Sequence, residues 1–118
     1  MYRIDDLCAE AQEAVDRIWF IQAMGLVERT DSTVSIRLSI QPDLFVQVFL
    51  GELTGSLYFA LIGRGQRIFG ADLDSEGWHL HPYDAPHQHI PFPKGLEPKP
   101  LLSFLSLVED LLIQYDLL

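Results

Sequence analysis

Leu7, Ala11, Val15, Ile18 and Ile21 recur at steps of three and four residues, with Ile4, Cys8 and Gln22 flanking the stripe. A repeat of about 3.6 residues is that of an amphipathic helix, and the spacing predicts one over residues 1–24. Asp5 and Asp6 suit the positive end of such a helix, and Gly25 suits its close. Cys8 reads as a small apolar packing residue.

The period then drops to two. In "TVSIRLSI", Val34, Ile36, Leu38 and Ile40 alternate with Thr33, Ser35, Arg37 and Ser39, which predicts a strand with one buried face. "QPD" at 41–43 turns the chain, and "LFVQVFL" at 44–50 is apolar on both faces, as a central strand would be. "GELTG" turns it again before "SLYFALI" at 56–62, and "GRG" at 63–65 precedes "QRIFGADL". A short strand around Trp78–His81 follows "DSEG", and "GLVERT" at 25–30 offers an edge strand. Turns this short join antiparallel neighbours, whereas a parallel sheet needs long crossovers.

Residues 82–100 hold six of the seven prolines, so they cannot form a central strand or a helix interior. Beyond them Leu101, Leu105, Val108, Leu112 and Tyr115 make one helical face, widened by Leu102, Phe104 and Leu111, with Pro100 in the first turn. The expected architecture is α+β in a single domain over 1–118: an N-terminal helix, an antiparallel meander of about five strands, a proline-rich arm and a C-terminal helix packed on the sheet. An exposed sheet edge, or the wide apolar face of the last helix, leaves a homodimer or a protein-interaction module open as an alternative function.

Charge narrows the list of partners. Eight Lys and Arg against seventeen Asp and Glu give a formal charge of −9, and the basic residues are scattered. That excludes an extended phosphate-gripping surface and leaves transient RNA contact in a local cleft. Arg64 and Arg67 are the one close basic pair in a predicted loop. No apolar run approaches a membrane span, the first ten residues carry acids rather than a signal-peptide core, and Cys8 is the only cysteine, which together point to the cytoplasm.

The chemistry-bearing residues concentrate in "GWHLHPYDAPHQHIPFPKG", 77–95, where all four histidines lie. His79 and His81 are two apart and share a face if the segment is a strand, and His87 and His89 repeat the spacing. Three readings fit. The first is a metal site built from imidazoles. The second is an acid/base centre in which Asp84, His87 and His89 move protons while Arg64 or Arg67 steadies a phosphate. The third is a stiff connector, fixed by Pro82, Pro86, Pro91 and Pro93 and pinned by Trp78 and Phe92, whose histidines only make loop hydrogen bonds. Tyr58, Trp19 and Phe20 read as core or rim. Asp72, Asp74 and Glu76 lack the spacing of an EF-hand loop and read as a solvated turn. The residues themselves call for no cofactor.

In this segment the chain resembles the TumE-like proteins, a family of small domains named for a toxin of a toxin–antitoxin pair. "YDAPHQH", Tyr83–His89, resembles the family's "YDNAPHH"-type stretch, "IPFPKG" resembles part of the following "TFPHH"-type stretch, and the closing helix comes in the same order. Lys94 and Gly95 stand where the family carries a second histidine pair. The resemblance covers the last fifty or so residues best. It implies a toxin component that is held by an antitoxin protein and acts on RNA. It singles out Tyr83, Asp84, Pro86, His87 and His89, with His79 and His81 in support.

Overall fold

The computed structural model describes residues 1–118. Helix α1 (Ile4–Arg17) leads into strands β1 (Ala23–Arg29), β2 (Thr33–Gln41), β3 (Leu44–Gly51), β4 (Ser56–Gly63), β5 (Gln66–Asp74), β6 (Gly77–His81) and β7 (Ile90–Pro91), and helix α2 (Pro100–Gln114) follows. The strands form one antiparallel sheet in chain order, with β1 and β7 at its edges. The fold is the expected α+β meander, with seven strands rather than about five.

The first difference lies in α1, which stops at Arg17 instead of running to residue 24. Ile18 already has extended backbone angles, φ −91° and ψ 116°. The aromatic and β-branched run Trp19–Ile21 is a poor helix former, and the residues after it gain a full ladder against β2, from Ala23 opposite Ser39 to Arg29 opposite Val34. Sheet pairing therefore outweighs the last steps of the helical repeat. Gly25 is an interior residue of β1, not a helix stop. Phe20 is buried as expected, but Trp19 is 60% exposed and its indole Nε1 donates to Glu109.

Both helices pack on one face of the sheet. Val34, Ile36 and Leu38 of β2, Val46, Val48 and Leu50 of β3, and Leu57, Phe59 and Leu61 of β4 meet Leu7 and Ala11 of α1 and Leu101, Phe104, Leu105, Val108 and Leu112 of α2 in one core. Phe104 lies at the centre, its ring 5.3 Å from that of Phe59 and 5.4 Å from that of Phe69. Removing such a ring costs about 3–5 kcal/mol. Tyr115 falls beyond the last turn of α2 and stacks on Tyr83 at 4.2 Å instead of continuing the buried stripe.

Asp6 accepts from the N–H of Arg3 at the start of α1, and at the start of each helix a distant glutamate takes a further backbone donor. Glu52, in the β3–β4 turn, accepts from the backbone N–H of Ile4 at 2.7 Å. Glu10 of α1, only 5% exposed, accepts from the N–H of Leu102 in α2 at 2.6 Å and from the hydroxyl of Tyr2. These contacts satisfy helix-end donors that would otherwise be buried without partners.

The other face of the sheet carries the polar half of each alternating pattern. One row crosses it from Ser35 through Phe49, Tyr58 and Asp72 to His79, and the next runs from Arg37 through Gln47, Ala60 and Gly70 to His81. The proline-rich arm folds over the β6 end of these rows. Phe92 donates its N–H to the carbonyl of Trp78, and the Trp78 indole donates to Glu97. Arg67 donates to the carbonyl of Pro86 at 2.8 Å. Gly95 has a φ of +67° and lies so close to Trp78 that a Cβ there would stand 2.9 Å from the indole, so only glycine closes the arm this way.

Candidate functional site

Asp72 projects from β5 on the face away from the helices, directly opposite His79 of β6 and diagonally across from His81. Strand alternation places the two histidines on one face, as their spacing indicated. Opposite His81 stands Gly70, whose missing side chain leaves room for the His81 ring and the Arg67 stem. The arm then delivers His89 onto the same spot. Its ring stacks on His79 at 4.0 Å and on His81 at 5.0 Å.

Three imidazoles thus surround one carboxylate. His81 Nε2 is 2.9 Å from Asp72 Oδ2, His89 Nε2 is 3.1 Å from Oδ1, and His79 Nδ1 is 3.9 Å from Oδ1. The first two are hydrogen bonds and the third is too long to be one. Burial alone would raise the Asp72 carboxyl, but the hydrogen bonds from His81 and His89, together with their charge, outweigh it and hold the group below its ordinary 3.8. His79 and His81 are each 8% exposed, and the Nδ1 atom of each is buried with no hydrogen-bond partner. An unsatisfied buried ring nitrogen is costly, and of the two it is the His79 Nδ1 that faces the Asp72 carboxylate, since His81 meets Asp72 through Nε2.

The acid/base constellation expected in the arm does not assemble. Asp84 and His87 are exposed and make no side-chain hydrogen bond or ion pair, whereas His89, also exposed, reaches Asp72 with its ring. The carboxylate that gathers the histidines is Asp72, from the stretch read as a solvated acidic turn. The reason is geometric. The turn Pro82–Ala85 and the next, Ala85–Gln88, are each closed by a backbone hydrogen bond and swing Asp84 and His87 outward, while the β5–β6 register places Asp72 among the rings. Tyr83 and Pro86 serve to hold the arm, the first by stacking on Tyr115 and the second through its carbonyl on Arg67.

The expected phosphate-binding pair is also divided. The Arg67 guanidinium is committed to Pro86, and Arg64 sits in the β4–β5 turn with φ +52°, lining a separate open cleft with Asp43, Tyr83 and Asp116. Asp72 could have been singled out in the sequence only by aligning "GADLD" against "GWHLH" across the "SE" turn, which pairs it with His79.

The donor set, imidazole nitrogens and carboxylate oxygens, suits zinc, nickel, cobalt or manganese. One ligand atom from each of Asp72, His81 and His89 falls within a sphere of mutual distances under 4.8 Å, and the same holds for Asp72, Asp74 and His79. No helix is long and apolar enough to cross a membrane. No family model, curated protein or solved structure matches the chain.

Proposed function

We propose that the chain binds a divalent transition-metal ion through Asp72, His81 and His89, and that the bound ion serves hydrolysis of a phosphodiester in RNA. The convergence of His81 Nε2 and His89 Nε2 on the two oxygens of one ionised carboxylate supports this reading most strongly. Two facing strands set His81 and Asp72, and an arm anchored at Pro86, Phe92 and Glu97 supplies His89. Three protein ligands would leave positions for water and substrate, as catalytic sites do. His89 lies at the rim, its side chain 44% exposed, so an ion held there would be within reach of solvent.

Charge favours a metal over metal-free catalysis. A chain of net charge −9 repels a phosphodiester, and the one guanidinium tied to the arm is already occupied. A divalent ion held there would supply the missing positive charge and a water that ionises near neutral pH. Asp72, His81 and His89 would hold the ion, and the water it supplies would add through its oxygen to phosphorus as the leaving sugar oxygen departs with the proton of that water. RNA as substrate, a toxin role and an antitoxin partner rest on the resemblance to TumE-like proteins.

The test uses the purified chain and a fluorescently labelled RNA. Cleavage that requires zinc or manganese, stops with chelator and is lost in His81→Ala and His89→Ala while His87→Ala remains active supports the reading. Cleavage unaffected by chelator would replace it with metal-free acid/base catalysis by His89 on Asp72. If the protein binds metal and cleaves no RNA, the substrate half of the proposal fails.

A further inference from the structure

His79 is the one imidazole of the cluster that the reading above leaves without a task. It is 8% exposed, its Nδ1 has no hydrogen-bond partner, and it faces Asp72 Oδ1 across a gap of 3.9 Å. Metal–ligand bonds of about 2.1 Å span up to about 4.2 Å between two donors, so one ion reaches both atoms. The gap is too long for a hydrogen bond but within that reach. Asp74 lies two residues along β5 on the same face, and one of its carboxylate oxygens falls within 4.8 Å of ligand atoms of Asp72 and His79. Its Oδ1 accepts from the N–H of Glu76 at 2.8 Å, which orients the carboxylate and leaves Oδ2 open.

From this geometry we infer that Asp72 is a bridging ligand between two ions, the first held with His81 and His89 and the second with His79 and Asp74. The inference rests on the metal reading above and extends it. A carboxylate shared between two ions would hold them about 3.5–4 Å apart, the separation at which paired ions clamp both the attacking and the leaving oxygen of a phosphoryl group. The second position, with one nitrogen and two carboxylate oxygens, is the harder of the two and suits manganese or zinc, whereas the first, with two imidazoles, suits zinc, nickel or cobalt. The substrate class that follows is a phosphate ester whose non-bridging oxygen can span both ions.

The experiment is native mass spectrometry of the full chain titrated with zinc and, separately, with manganese, alongside His79→Gln and Asp74→Asn. Asp74 is exposed, so its substitution leaves the fold intact even if the His79 variant is unstable. Two zinc ions per wild-type chain, falling to one in either variant while the first is retained, is the expected result. A wild-type chain that saturates at one ion, unchanged by Asp74→Asn, overturns the second position and leaves the first standing. A wild-type chain that takes up no ion overturns both.

Discussion

Asp72 and His79 stand opposite each other across the β5–β6 ladder, and the carboxylate that His79 faces is the one that His81 and His89 hold. Every ligand set in the cluster includes Asp72. Asp72→Asn keeps the shape and removes the charge. It should therefore weaken zinc binding by more than the roughly 10–100-fold that removing a supporting partner costs. Isothermal titration calorimetry reads this directly, and an affinity within a few-fold of wild type would contradict it.

Asp84 and His87 lead to the opposite expectation. Both are exposed and unpaired, so Asp84→Asn and His87→Ala should leave zinc affinity unchanged and shift stability by no more than about 0.5 kcal/mol. Calorimetry and thermal melts of the two variants separate the Asp72 cluster from a centre in the arm.

Arg67 acts at one remove. Its bond to the Pro86 carbonyl fixes the arm that carries His89. Arg67→Ala should loosen the arm and lower zinc affinity about tenfold, in the range typical of outer-shell positions, while His81 and Asp72 stay in place. Faster amide exchange confined to residues 84–90 would be the accompanying sign.

Glu10 ties the two helices together, and its loss should be costly. Glu10→Ala leaves the Leu102 N–H and the Tyr2 hydroxyl without their acceptor, and about 3 kcal/mol of stability should go with it, read as a lower urea midpoint. Tyr2 also sets a pH dependence. Burial, then the hydrogen bond to Glu10 and the negative charge of Glu10, Asp6 and Cys8, raise the phenol above its ordinary 10.0. The folded chain therefore holds the proton where the unfolded chain releases it. The contribution is full below pH 10.0 and declines as the pH rises above that value. Urea midpoints across the alkaline range should fall less steeply for Tyr2→Phe than for wild type.

The strands β2 and β4 were legible because a half-buried strand must alternate, and "TVSIRLSI" and "SLYFALI" do so. The end of α1 was not, because Ile18 and Ile21 continue the helical repeat while the pairing of β1 with β2, which overrides it, is a long-range contact. In the site, the shared face of His79 and His81 followed from a spacing of two. The place of His89 did not, because an arm fixed by prolines and turns has no period to read. Asp72 reads as a solvated turn residue in the sequence for a related reason: its partners lie across a ladder whose register is set by the turn at Ser75 and Glu76.

The central claim, that Asp72, His81 and His89 hold a divalent ion, is tested most directly by anomalous diffraction at the zinc absorption edge from crystals grown with zinc. The expected result is a peak about 2.0–2.2 Å from His81 Nε2, His89 Nε2 and an Asp72 carboxylate oxygen. A fully formed cluster with no peak among these atoms, the His81 and His89 rings still hydrogen-bonded to Asp72, would contradict it.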